Sequence, residues 1–364
     1  MKRCVNGTQA YIQITEEERM EIRQFGITAN GETVRAYTLQ CGDMRAVLLD
    51  RGANLQTLSV HGTDVVLGFD TVQCYQNCDA YIGALVGRYA NRIDGGFSLN
   101  GRYYPLACND HGTVHLHGGT VGFDQRIWNA EPAVTDAEGE GVCFTLFSED
   151  GEEGYPGNLS VRVTYLLDAS GLTMRYEAQT DADTPLNLTN HAYFELDGKS
   201  DIRTHRLQVF ADTYAATDAR MLVTDPTVSV TDTPLDLRRE RRLSEVLVPD
   251  DPFFACTHGI DHNFNLSRTA PGVSVGAATV YPAAVLKGKH LQMTVLTDFP
   301  CMQIYTANFL SGADTLKDGR LPCQYGAICF ETQEVAADAP NRGQGILHPG
   351  VRYVRTTRFS FAQI

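Results

Sequence analysis

Apolar and polar residues alternate with a period of two along most of this chain. The pattern runs through 34–40, 45–50, 142–147, 160–167, 172–179, 290–297 and 302–309, with Gly, Asp, Asn or Pro at the breaks. That period is the repeat of a strand with one buried face, so these segments predict β-strands. Asn100-Gly101, set between Phe97-Ser98-Leu99 and Arg102-Tyr103-Tyr104, predicts a two-residue hairpin turn. The 33 glycines fit a chain with many turns. Helical periodicity is rare. Thr15-Glu16-Glu17-Glu18 has the form of a capping box, and 238–246 is a weak helix candidate. No repeat, low-complexity tract or Pro/Gly/Ser-rich linker divides the chain. Many short antiparallel strands without alternating helices predict an all-β protein, a single large antiparallel β-sandwich.

Two of the apolar runs carry chemistry. In Ala327-Ile328-Cys329-Phe330-Glu331-Thr332-Gln333 a carboxylate stands amid apolar residues, on the same strand face as Cys329 and Gln333. A carboxylate in such surroundings resists ionisation unless something hydrogen-bonds it. The run Asn187-Leu188-Thr189-Asn190-His191-Ala192-Tyr193-Phe194 holds a histidine at its centre. A buried acid and a buried imidazole on two strands are the parts of an acid/base pair.

Other polar groups admit two readings each. His111, His115 and His117 invite a zinc or manganese site, because His115 and His117 would share a strand face. Gly118-Gly119 follows at once and equally fits a loop that brings a ligand close to the backbone. His258-Gly259-Ile260-Asp261-His262 reads as a polar loop at a pocket. In Gly87-Arg88-Tyr89-Ala90-Asn91-Arg92-Ile93 the guanidinium groups need acceptors, either an internal carboxylate or a polyol. Gln303 and Tyr305 share one strand face, suited to sugar hydroxyls or to a satisfied core amide. The glycine-framed acidic loop 150–157 says only that a turn joins two strands. There is no Gly-x-Ser-x-Gly elbow and no phosphate-cradling glycine loop.

Bulk properties narrow the ligand. The formal charge of -14 disfavours nucleic acid and anionic membranes, whereas a neutral ligand is not repelled. The Arg238-Arg239-Glu240-Arg241-Arg242 run reads as a solvated face rather than a recognition patch. No stretch approaches ~20 apolar residues, so no membrane span is expected, and the N-terminal residues lack the apolar core of a signal peptide. The ten cysteines are scattered and complete no zinc motif, as expected of reduced thiols in a cytoplasmic protein. What remains is acid, base and neutral hydrogen-bonding groups, which point to proton transfer on an uncharged, polyhydroxylated ligand.

The phrases taken together resemble the galactose mutarotase (aldose 1-epimerase) family over roughly residues 25–362. They run in the family's order: Val66-Leu67-Gly68-Phe69, the Gly87 to Ile93 phrase, His115-Leu116-His117-Gly118-Gly119, Gly122-Phe123-Asp124 with Trp128, the 150–157 loop, the Asn187 to Phe194 run, Gly259-Ile260-Asp261-His262-Asn263-Phe264, Gln303 with Asn308-Phe309-Leu310, and Glu331-Thr332-Gln333. The resemblance implies the family's supersandwich, with the active site in a cleft on its concave face. It also implies interconversion of α and β anomers of free aldohexoses such as glucose and galactose, without cofactor or metal. Carried over phrase by phrase, Glu331 is the general base and His191 the general acid, while Asn91, Arg92, His117, Asp261 and Gln303 hold the sugar. The expected domain spans 25–364 behind an N-terminal extension, 1–24, of no assigned role, in a monomer or homodimer. Three other functions compete: a silent sugar-binding protein, a glycoside hydrolase using Asp261 and Glu331, or a mutarotase for phosphorylated sugars, for which the charge of -14 shows no cationic pocket. Three departures from the family pattern stand near the site. Glu195 replaces a usual asparagine and, on a continuous strand, would share a face with His191 and raise its pKa; 334–341 is one residue longer; Pro300-Cys301 replaces Pro-Gly.

Overall fold

A computed structural model describes residues 20–135, 139–198 and 201–364. The capping-box segment and most of the proposed extension lie outside the described residues. Three larger antiparallel sheets carry the fold. A ten-stranded sheet runs in the order Asn129–Thr135, Gly139–Ser148, Leu159–Asp168, Gly171–Thr180, Tyr353–Gln363, Leu291–Thr297, Ala278–Lys287, Arg206–Val209 and Arg241–Arg242, with Val273–Val275 paired to Ala278–Lys287. A six-stranded sheet runs Tyr193–Phe194, Ile328–Gln333, Cys301–Tyr305, Asp261–Leu266, Ala211–Thr217 and Val223–Ser229. A five-stranded sheet begins with Glu21–Ile27 and ends with Thr63–Asp64.

One apolar core joins all three. Phe144, Val163 and Phe359 from the ten-stranded sheet pack in the same cluster as Leu39 and Leu48 from the five-stranded one, and Phe194, Ile304 and Phe330 from the six-stranded one. Phe194 meets Phe359 at a ring separation of 4.6 Å, and Tyr37 meets Phe144 at 5.6 Å. The period of two then decides what the other face of the six-stranded sheet carries. Ile328 and Phe330 point into the core, so Cys329, Glu331 and Gln333 point away from it. Likewise Met302 and Ile304 are core residues and Gln303 and Tyr305 are not. Register places Gln303 opposite Glu331, and Asp261 opposite Tyr305.

Some sequence expectations are met here and others change. The Asn100-Gly101 hairpin forms between Gly96–Leu99 and Arg102–Pro105, with φ of 52° and 78° at the two turn residues. The 302–309 run ends as a strand at Tyr305, and Ala307 turns the chain at φ 53°. The 238–246 segment is no α-helix: Arg241–Arg242 is an edge strand and Leu243–Glu245 a single 3₁₀ turn. Arg238 is held there by Asp236 and Asp212, as a solvated face should be. The one α-helix among the described residues, Val72–Asn77, has no strong periodicity and is started by the Thr71 side chain accepting from the Cys74 N–H.

Candidate active site

The Asn187 to Phe194 run is not one strand. Thr189–Asn190 pairs with Leu85–Val86, and Tyr193–Phe194 pairs with Ile328–Gln333. His191 lies between the two pairings, held by its N–H donating to the Ala84 carbonyl. That bend brings its ring over the free face of the six-stranded sheet, and His191 Nε2 comes 3.6 Å from Glu331 Oε1. Both side chains are buried, yet both line a cavity of about 600 Å³. Asn91, Arg92, His117, Asp261 and Gln303 line the same cavity, so all seven residues singled out in the sequence converge on it.

Backbone turns, rather than strand alternation, aim the loop residues. Asn91 and His117 both have positive φ, 71° and 54°. The His117 N–H donates to the Asn91 carbonyl, and the Asn91 N–H donates back to His117 Nδ1 at 3.1 Å. An Nδ1 that accepts leaves the proton on Nε2, so His117 presents a fixed N–H donor. His115, expected beside it, instead faces inward: its Nδ1 donates to the Ala107 carbonyl and the Tyr155 hydroxyl meets its Nε2 at 2.6 Å. The left-handed turn at His117 separates the two rings, which corrects the shared-face reading.

Another three-ligand set does exist, since His117, His191 and Glu331 offer ligand atoms within 4.8 Å of one another. The polarity of His117 is the reverse of a metal ligand's, however. A ligating histidine donates through its second nitrogen, whereas the second nitrogen of His117 accepts.

Arg92 donates from Nε to Asp110 at 2.8 Å, and Gln303 Nε2 donates to Asp261 Oδ1 at 2.6 Å. Arg88 does neither thing expected of it: its buried guanidinium donates to the carbonyls of Ser148, Glu149, Pro156 and Gly157, tying down the acidic loop. That loop in turn supports the glycine pair, because the Glu153 carboxylate accepts from the N–H groups of Thr120 and Val121. The Asn187 amide joins the walls, donating to the carbonyls of Ala90 and Val335 and accepting from the Glu334 N–H. From the 334–341 loop the Asp338 N–H donates to the Arg92 carbonyl at 2.6 Å.

Electrostatics follow from burial. Desolvation pushes the Glu331 carboxyl well above the usual carboxylate range; Asp261 adds to this and Arg92 opposes it. Burial pulls the His191 imidazole down to about 4 and His117 lower than usual too. The Asp261 carboxyl is raised by burial, against Arg92 and Gln303. Glu195 plays no part in this: it sits against His205, 3.4 Å from its Nε2, because the break at His191 removes the shared face. Tyr81, Tyr193 and Tyr305 also line the cavity. In the sequence Tyr193 stands out only as a neighbour of His191, and Tyr81 belongs to none of the phrases singled out there.

A β-sandwich with a buried carboxylate–imidazole pair at the base of a polar cavity defines a protein built for acid/base chemistry on a small, uncharged, hydroxyl-rich molecule. Residues 35–360 match the family model described as aldose 1-epimerase. Galactose mutarotase of Homo sapiens is 38% identical over 346 residues, covering 92% of this chain and 96% of that protein. Aldose 1-epimerase of Escherichia coli (strain K12) is 35% identical over 351 residues, covering 92% and 97%. The solved structure of a galactose 1-epimerase from Lactobacillus acidophilus superposes with a TM-score of 0.84 at 29% identity, covering 95% of this chain and 99% of the other. This chain belongs to the aldose 1-epimerase family.

Proposed function

We propose that this protein is a mutarotase that interconverts the α and β anomers of free aldohexoses, with Glu331 as general base and His191 as general acid. The observation that carries the reading is the Glu331–His191 pair, 3.6 Å apart and facing one cavity. The galactose mutarotase and aldose 1-epimerase relatives, at 38% and 35% identity over nearly the whole chain, support it.

Glu331, as carboxylate, takes the proton from the anomeric O1–H. The O1–C1 bond becomes a carbonyl as C1–O5 breaks, and His191 gives its proton to O5. Rotation about C1–C2 turns the other carbonyl face to O5. On reclosure O5 returns its proton to His191, and Glu331 returns one to O1. The pair therefore holds a single proton throughout. Burial favours that proton on Glu331, with both groups neutral. The working form has the same proton on His191, and sugar hydroxyls donating to the Glu331 carboxylate favour it. Asn91, Arg92, His117, Asp261 and Gln303 hold the remaining hydroxyls, His117 as a donor by virtue of its tautomer.

Polarimetry of freshly dissolved α-D-glucose and α-D-galactose tests this. Wild-type protein should speed relaxation far beyond buffer, and Glu331→Gln or His191→Asn should each lose roughly 10²–10⁴-fold. If wild type matches buffer on free aldoses, the mutarotase reading fails. Hydrolysis of aryl glycosides would then favour a hydrolase, and sugar binding alone a silent receptor.

A further inference from the structure

A catalytic imidazole is ordinarily aimed by a hydrogen bond from its second nitrogen to a carboxylate or carbonyl. His191 is aimed otherwise. Its Nδ1 is buried and meets no donor or acceptor of any other residue, with only the backbone of His191 itself near the ring. Instead the ring stacks on two phenol rings: Tyr193 at a centroid separation of 5.0 Å and an interplanar angle of 25°, and Tyr81 at 6.1 Å and 26°. Both contacts fall in the range of offset stacking. The two tyrosines are tied together, since the Tyr193 hydroxyl donates to the carbonyl of Ala80, next to Tyr81 in the chain, at 2.9 Å. Tyr81 itself sits at φ 53°, an unfavourable conformation for an aromatic residue, and its ring also meets His117 edge-on at 4.7 Å.

From this geometry we infer that Tyr81 and Tyr193 are positioning residues, an aromatic clamp that orients His191 and stabilises its imidazolium form through their π faces. The inference rests on the proposed role of His191 as general acid. A cation facing an aromatic ring is attracted by the ring's quadrupole, and more strongly where water is excluded. The other groups facing His191 are Glu331, His117 and the Tyr305 ring at 6.3 Å, with Asp261 and Arg92 further along the cavity wall. Glu331 favours the imidazolium but is itself held toward neutrality by burial, and protonated His117 would oppose it. The clamp supplies attraction without adding a second buried charge, and it leaves Glu331 free for the sugar.

Tyr81 is the position to test, because it is only partly buried and its hydroxyl has no role in the argument. Tyr81→Phe should keep activity within about threefold, whereas Tyr81→Leu should lower kcat about 3–30-fold with a smaller change in KM. The direct readout is NMR titration of the His191 ring in the folded protein. In Tyr81→Leu the His191 titration should move down by roughly one pH unit. Fluorinated phenylalanines at position 81 weaken the ring's quadrupole with little change in volume, and should shift the titration downward stepwise with fluorine number. An unchanged His191 titration across Leu and the fluorinated series overturns the clamp, as does a Phe variant that fails as badly as Leu. A wild-type protein that leaves free aldoses unaffected overturns the mutarotase reading instead, and the titration still reports on the clamp.

Discussion

Glu331 is the residue in which stability and chemistry conflict. Its carboxyl is raised well above the usual range by burial, so the folded state favours its neutral form. Stability contributed by such a group is fully present below the ordinary carboxylate pKa and is lost as pH rises through the raised one. Glu331→Gln, which cannot ionise, should therefore melt at a higher temperature than wild type at pH 8. The difference should shrink toward zero near pH 4, as thermal melts across that range would show. His191 works in the opposite sense. Its pKa is lowered to about 4, so its contribution is present above the ordinary histidine value and is lost as pH falls toward 4. In the proposed mechanism activity needs one proton on the pair, so kcat/KM should follow a bell against pH whose two limbs belong to the pair and not to either residue. A profile with a single limb would count against the pairing.

Strands and loops divide the labour at the scale of elements. Strands supply Glu331, Gln303 and Asp261 from one sheet face, where register alone sets their spacing. Loops supply Asn91, His117 and His191: the first two stand at positive-φ turns and the third at a break between two strand pairings, which strand alternation does not provide. The glycines mark where loops press together. Gly118 has φ 92°, and a Cβ there would collide with the Gly87 carbonyl. Gly118→Ala should cost about 2–5 kcal/mol and raise the sugar KM, because both strain and the clash displace the loop that carries His117. Gly112, at φ 67° with nothing near a new Cβ, is the control. Its alanine variant should cost about 1 kcal/mol and leave KM unchanged. Equal losses in melts of the two variants would mean that packing against Gly87 is unimportant.

For the molecule as a whole, net charge bears on which sugars reach the site. The chain carries a formal charge of -14, and its cavity holds Asp79, Asp110, Asp261 and Glu331 against Arg92 and Arg220, whose side chains are paired with Asp110 and Asp94. A neutral aldose feels little of that field, so kcat/KM for glucose should change less than about twofold between low and high ionic strength. A sugar phosphate should be a poor substrate that improves as salt rises. A sugar phosphate that reacts best at low salt would contradict this. Among the described residues no helix is long and apolar enough to cross a membrane.

Much of this was legible in the chain itself. Strand periodicity repeats locally, so the all-β class and the approximate limits of most of the runs it marked could be read from it, and the seven cavity residues could be named because each sits in a distinctive phrase. The sequence also shows which face of Ile328–Gln333 carries the carboxylate, since alternation has only two outcomes. Tertiary structure alone decided the rest. Whether Asn187 to Phe194 formed one strand or two depended on which sheets its halves joined, and that break aimed His191 at Glu331 and sent Glu195 to His205. Whether Arg88 met a ligand or a loop depended on carbonyls some 60 residues away. The tautomer of His117 and the stacking of Tyr81 on His191 likewise came from contacts between distant segments, made only once the chain had folded.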